Sequence, residues 1–346
     1  MLFSNLVVPF MRRRLPVLLV ALMGLAATGC SKDDDNNTAP NTEQNIVQVA
    51  QANSDFSTLV AAVTKADLAA TLSGTGPFTV LAPTNAAFAQ LGAPFNTAAN
   101  ISAIPAGDPQ IAALRNILLY HVLAGRKAAA DFPEGPSAQV TQKPASATGI
   151  NDNTVYASRT GSTVSLNGAT SVTTADVAAS NGVIHAIDRV LMPPTATIAD
   201  VVIAQAAASP AQFTSLLAAL QRPAAAALLT TAADPSANLT VFAPTDAAFA
   251  ALLTQLGLAT LNDVPDATLV AVLQQHIVGS RAFSSDLTNG QVVTTLGGPA
   301  TVGVMGSTVT VRGAGNGTDN ANVTSANIMA TNGVVHVIDR VLLPTL

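Results

Sequence analysis

The chain has one cysteine, no tryptophan, two tyrosines and two glutamates in 346 residues, and only 10 % of it is charged. Each shortage removes a class of function. A lone Cys30 excludes an internal disulfide framework, a cysteine-rich zinc site and an iron–sulfur cluster. The glutamates are Glu43 and Glu134. The aspartates mostly occupy cap and turn positions such as Asp55, Asp131, Asp234 and Asp246, so the paired carboxylates of a glycosidase have few candidates. Aromatic residues at 4 % offer little for stacking sugars. Setting aside Arg12, Arg13 and Arg14 leaves 12 basic residues against 20 acidic, a net charge near −8. No basic stripe remains to release counterions from a polyanion, which argues against nucleic acid as a partner. There is no G-x-S-x-G elbow, and Gly313–Gly317 lacks the Lys-Ser/Thr ending of a phosphate loop. Asn316–Asn320 carries oxygens without calcium-loop spacing and reads as a turn. Beyond the N-terminus, Gly, Pro, Asn or Asp breaks every apolar run before the roughly 20 residues a membrane span needs.

What is present begins with an address. Arg12–Arg14 form a basic region, Leu15–Ala27 an apolar one of signal-peptide length, and Ala27-Thr28-Gly29-Cys30 follows. This resembles a bacterial lipobox, with Ala27 where a larger aliphatic residue is usual. The resemblance implies cleavage after residue 29, lipidation of Cys30 and an effectively permanent anchor, since each buried CH₂ contributes about 0.8 kcal/mol. Residues 30–45 then form a polar tether. Its Ser31-Lys32-Asp33-Asp34-Asp35-Asn36-Asn37 is similar to the acidic export tag of Bacteroidetes lipoproteins. The expected location is the bacterial cell envelope, lipid-anchored in the outer membrane and exposed at its surface.

The remainder is one unit written twice. Phe78–Ala89 returns as Leu239–Ala250 at an offset of 161, His121-Val122-Leu123 as His276-Ile277-Val278 at 155, and Asn181–Pro193 as Asn332–Pro344 at 151. The order is preserved and the drifting offset marks loop insertions, so residues 46–194 and 195–346 read as tandem domains. Phe56, Leu59, Val60 and Val63 have helical spacing, with Ser54 or Asp55 as the expected N-cap; Phe213, Leu216, Leu217 and Leu220 repeat it. Phe78–Leu81 reads as a short strand stopped by Pro83. Thr84 and Thr245 read as caps of the helices that follow, without the acidic partner of a capping box. Asn167-Gly168 predicts a tight hairpin turn, and Asn181-Gly182 and Asn332-Gly333 introduce closing strands. Helices first and a mostly antiparallel sheet after make each unit α+β.

These motifs resemble the fasciclin-like domain: T-V-F-A-P-T-N/D-A-A-F at Thr79–Phe88 and Thr240–Phe249, N-G-V-I-H-V-I-D-x-V-L-L-P at Asn181–Pro193 and Asn332–Pro344, and a Tyr-His pair at Tyr120-His121 that becomes Gln275-His276. The resemblance implies a β wedge with packed helices in each domain and a role in cell adhesion or matrix contact. It marks the Tyr-His region, Tyr120 and His121, as a partner-contact candidate. Val183-His185-Ile187 and Val334-His336-Ile338 alternate so as to face a packed interior, where His185 and His336 read as bonding nearby backbone groups. These residues with His276, Asp188 and Asp339 are the candidate partner-contact or structural residues. Period-two geometry puts Asp188 and Asp339, three residues beyond a strand histidine, on the opposite face, and two histidines per domain do not make a metal site. The reading is a non-enzymatic, cofactor-free binding module whose partner is an extracellular-matrix protein or a surface glycan. The alternatives are a polysaccharide-acting enzyme or enzyme accessory, and a purely structural envelope protein.

Overall fold

The computed structural model describes residues 44–146 and 151–345; the expectations for the signal segment, Cys30 and the acidic tether lie outside the described residues. Domain 1 runs through α1 (Ile46–Ala52), α2 (Ser57–Lys65), α3 (Ala69–Ser73), β1 (Phe78–Pro83), α4 (Asn85–Ala89), α5 (Ala98–Ala103), α6 (Pro109–Tyr120), β2 (Val122–Ala124), β3 (Gly135–Val140), β4 (Thr154–Thr160), β5 (Thr163–Leu166), β6 (Thr170–Ala179) and β7 (Gly182–Ile187). Domain 2 repeats the plan with α7 (Ile198–Ala206), α8 (Thr214–Leu220), α9 (Ala226–Ala233), β8 (Leu239–Pro244), α10 (Asp246–Leu256), α11 (Asp266–Gln274), β9 (Ile277–Val278), β10 (Val292–Thr295), β11 (Gly298–Met305), β12 (Thr308–Gly313), β13 (Ala321–Ala330) and β14 (Gly333–Ile338). Both domains are therefore α+β.

The strand orders correspond: β2-β1-β7-β6-β5-β4-β3 in domain 1 and β10-β11-β12-β13-β14-β8-β9 in domain 2, the latter closing into a barrel. Closure rests on little, a single Thr295–Val278 pairing; domain 1 has its counterpart in an isolated Leu123–Thr141 bridge. The sheets are mostly antiparallel, with one exception in each. β1 pairs with β7 in parallel, Val80 opposite Ile184, and β8 pairs likewise with β14, Val241 opposite Val335. Parallel neighbours need a long crossover, and here nearly the whole domain supplies it.

Alternation along these central strands builds two cores per domain. Val80, Ala82, Ile184 and Ala186 face the helices, while Leu81 and Ile187 lie on the other face of the sheet with Tyr120, Phe132 and Val155. In domain 2, Val241, Ala243, Val335 and Val337 face the helices, and Phe242 and Ile338 point inward. Strands covered on both sides carry no polar face, which is why the closing motifs read as continuous apolar runs.

Thr84 and Thr245 cap α4 and α10 as expected, each accepting an N–H three residues on. The start of α2 differs from expectation. Asn53 caps a 3₁₀ turn over Ser54–Phe56, and the helix proper begins at Ser57 with no local side-chain cap. Its exposed N–H groups find a distant acceptor instead: Asn85 Oδ1 takes the Thr58 N–H at 2.9 Å. Asp246 does the same for α8, accepting from Ser215 at 2.7 Å and Thr214 at 3.2 Å. Partial burial of Asp246 opposes ionisation, but these bonds prevail and hold its carboxyl below the usual carboxylate range. The T-N/D step of the first signature thus caps two helices with adjacent residues.

Candidate functional site

The second signature closes each domain through its opening dipeptide. Asn332 is fully buried; its Oδ1 accepts the Ile198 N–H and its Nδ2 donates to Ala232 O and Asp234 O, all at 2.9 Å. Asn181 makes the equivalent bonds to Ile46, Leu72 and Gly74. The following glycine is obligatory for space. A Cβ on Gly182 would lie 2.1 Å from Phe78 O, and one on Gly333 2.3 Å from Leu239 O.

All four histidines are buried and use both ring nitrogens for backbone groups. His121, at the end of α6, donates from Nδ1 to Ile117 O at 2.8 Å, and its Nε2 accepts the Leu191 N–H at 2.9 Å. His276 repeats this with Val272 O and Leu342 N–H. The strand histidines are turned the other way. His185 Nε2 donates to Lys127 O and Nδ1 accepts the Asp176 N–H; His336 does so with Ala282 and Asn327. These tautomers follow from the partners, because one nitrogen must donate and the other accept. Each ring is needed neutral. Burial lowers His121 and His276 to about 4, outweighing the opposing carbonyl bonds from Ile117 and Val272, and burial likewise lowers His336. No lone pair is left over for a metal or for proton transfer.

The Tyr120 hydroxyl, buried against the inner face of the domain 1 sheet, donates to Thr154 O at 2.7 Å and lies 3.4 Å from Asn167 Nδ2, which donates to it. Burial raises its pKa. Its ring and hydroxyl are enclosed, so the surface-contact role open to Tyr120 and His121 in the sequence has no exposed atom to act through. Gln275 takes the tyrosine's place in domain 2: Nε2 donates to Pro299 O at 2.9 Å, but the buried Oε1 has no partner. Asp188 Oδ1 accepts the Ser171 N–H and Asp339 Oδ1 the Asn322 N–H, both steadying the neighbouring strand. Among the described residues, no three His, Cys, Asp or Glu side chains are grouped to hold a metal.

What sequence reasoning missed is the contact where the domains meet. The Asn167-Gly168 turn, both residues at positive φ, projects from domain 1 against domain 2. Gly168 O accepts from Asn327 Nδ2 at 2.9 Å, and a Cβ on Gly168 would lie 2.6 Å from Phe283 Cβ. The Tyr156 ring packs 5.6 Å from Phe283 and lies under the guanidinium of Arg281, 4.4 Å from its centroid. Arg281 is 8 % exposed and bonds Asn238, Ala330, Thr331 and Gly333 of its own domain. The available signal was an arginine recurring at the same 155-residue offset as the histidines, Arg126 and Arg281.

Two further hollows flank the end of domain 2. One is a polar cleft of about 170 Å³ beside Asn320, Asp339 and Arg340; the other is an apolar groove of about 300 Å³ between α10, α11 and residues 343–345.

The Fasciclin domain profile matches residues 54–193 and 211–344. Protein sll1483 of Synechocystis is 42 % identical over 159 residues, which are 46 % of this chain and 79 % of that one. Human periostin is 28 % identical over 295 residues, and pig transforming growth factor-beta-induced protein ig-h3 is 28 % identical over 279. These cover 85 % and 79 % of this chain but only 30 % and 35 % of the relatives, so the chain spans about a third of each. Among solved structures, a FAS1 domain pair from the insect cell adhesion molecule fasciclin I matches 82 % of this chain and 92 % of that one, at 19 % identity and a TM-score of 0.37. With two ordered signatures accounted for atom by atom and a family match across most of its length, the chain belongs to the fasciclin domain family, as two tandem copies.

Proposed function

We propose that this protein is a lipid-anchored adhesion module of a bacterial cell envelope, held at Cys30 and contacting an extracellular-matrix protein or surface glycan through its two fasciclin domains. The observation that carries this reading is that the signature residues are consumed by the fold. All four histidines and Tyr120 bond buried backbone groups, which leaves recognition to the outer faces of the pair. Fasciclin domains are associated with cell adhesion, and the lipobox and tether suit a protein held off a membrane. Two domains in fixed contact gain avidity where both engage one surface.

The test is binding of the purified protein to a glycan array and to immobilised matrix extracts. Saturable binding to one class supports adhesion, and silence across both overturns it. Cys30→Ala, followed by labelling with a fatty-acid analogue and fractionation, reads the anchor separately. A mature, labelled, membrane-bound variant would place the lipid elsewhere.

A further inference from the structure

Arg126 and Arg281 occupy equivalent places and clamp equivalent carbonyls. Arg126 Nη1 donates to Gly182 O at 2.8 Å and Ala179 O at 3.3 Å; Arg281 Nη1 donates to Gly333 O at 2.8 Å and Ala330 O at 3.2 Å. Their outer sides differ. Arg281 is roofed by the Tyr156 ring, and its Nε and Nη2 donate to Asn238 and Thr331. Arg126 is exposed. Pro77 stands where domain 2 has Asn238, and among the described residues the Arg126 Nε and Nη2 have no hydrogen-bond partner and no carboxylate pairs with the group. Beside it opens a cleft of about 530 Å³ between residues 73–77 and Ser180–Gly182.

We infer that the Arg126 face of domain 1 is a docking platform for a turn of a partner protein that lays an aromatic ring across the guanidinium and brings an oxygen acceptor to its free N–H groups. The molecule itself shows what such a platform receives, because domain 1's own tyrosine-bearing hairpin sits on the equivalent face of domain 2. A flat guanidinium held from behind by two carbonyls is pre-oriented for stacking, so little side-chain freedom is lost on binding. A second copy of this chain is not the occupant. Its Tyr156 is already engaged, and in domain 2 the strand partner of Arg312 at the corresponding position is Thr301, which has no ring. The rim also differs from that of domain 2. Ala128 replaces Phe283, leaving room for a larger ring. Asp176 replaces Asn327, so the partner must present a donor where Gly168 presents a carbonyl.

The test uses a cyclised hairpin peptide with the sequence of residues 154–170, which carries Tyr156 and the Asn167-Gly168 turn, titrated into the full-length protein and followed by the backbone amide resonances of Lys127 and Gly182, which every variant retains. Saturable binding is expected, weakened about tenfold by Arg126→Lys, which keeps the charge but not the plane, or by Tyr156→Leu in the peptide, which leaves the protein untouched. Asp176→Asn, restoring the amide donor, is expected to tighten it several-fold. No saturable shift at millimolar peptide, with either the unaltered protein or Asp176→Asn, overturns the platform. So does binding indifferent to both Arg126→Lys and ring removal, loss only on changing Arg281, or competition by a sulfated glycan that binds Arg126→Lys equally well, the mark of a plain anion site. This peptide assay reads one face, whereas the matrix and glycan assay reads the whole protein, so either idea can fail without the other.

Discussion

The two domains fill one position differently. Domain 1 places Tyr120 there, with its hydroxyl bonded to Thr154 O and Asn167; domain 2 places Gln275, which satisfies Pro299 O but leaves its own Oε1 without a partner. The next residue is the same in both, and His121 and His276 make matching bonds to within 0.1 Å. The contrast separates two requirements. The carbonyl at 154 or 299 needs only some donor, which several side chains supply. The helix-end carbonyl and the buried N–H beyond the closing strand need a donor and an acceptor on one rigid ring, which only neutral histidine offers.

The comparison can be broken most forcefully at a point where the domains agree. Gly333→Ala drives a Cβ into Leu239 O and the Ile198 side chain. It should cost more than about 4 kcal/mol and remove the melting transition of domain 2 in calorimetry, with that of domain 1 retained. Retention of both transitions would mean that the parallel strand pair can spread. Next in size, His121→Ala and His276→Ala each strand a buried N–H and C=O, at about 3 kcal/mol in all. Each should lower its own domain's melting temperature by roughly 6–12 °C; a markedly smaller drop in one domain would show that its preceding residue compensates.

Acid sharpens the same point without mutation. His121 and His276 titrate near 4 when folded against 6.5 in the unfolded reference, so between those values the unfolded chain binds more protons. Stability from these rings is full above about pH 6.5 and falls as pH drops towards 4, by roughly 3 kcal/mol per ring. Urea midpoints measured from pH 7 to 4 should decline in both domains together, and a decline confined to one would contradict the matched bonding. The smallest effect is at the position that differs. Tyr120→Phe leaves Thr154 O without its donor and should cost about 1–2 kcal/mol. Gln275→Met should stay within about 1 kcal/mol of neutral, because losing the bond to Pro299 O is offset by removing an unpartnered oxygen. Urea denaturation of the pair checks the difference, and equal losses would erase it.

Much of this was legible in the sequence because it is local or repeated. Thr84 and Thr245 cap the next turn of chain, Asn167-Gly168 adopts two positive φ angles for its own hairpin, and the strand histidines fall on the inner face by period two. What was not legible depends on partners far along the chain. Asn85 caps a helix 27 residues upstream, and nothing in the α2 sequence signals it. The parallel pairing of β1 with β7 joins segments about 100 residues apart, so the strand read at Phe78–Leu81 came without its partner and without its central place in the sheet. The contact between domains escaped for another reason. Tyr156 and Phe283 occupy positions where the repeats do not match, and comparing the repeats directs attention to what they share.

The parallel pairing also sets when each domain can fold. Its central strand waits for a neighbour encoded near the end of the unit, Val80 for Ile184 and Val241 for Val335. Contacts of such sequence separation give a high contact order and slow folding. A growing chain that ends before about residue 190 lacks the strand that separates the two cores of domain 1, so neither core can be sealed during most of its synthesis. A polypeptide built this way stays threadable until late in its synthesis.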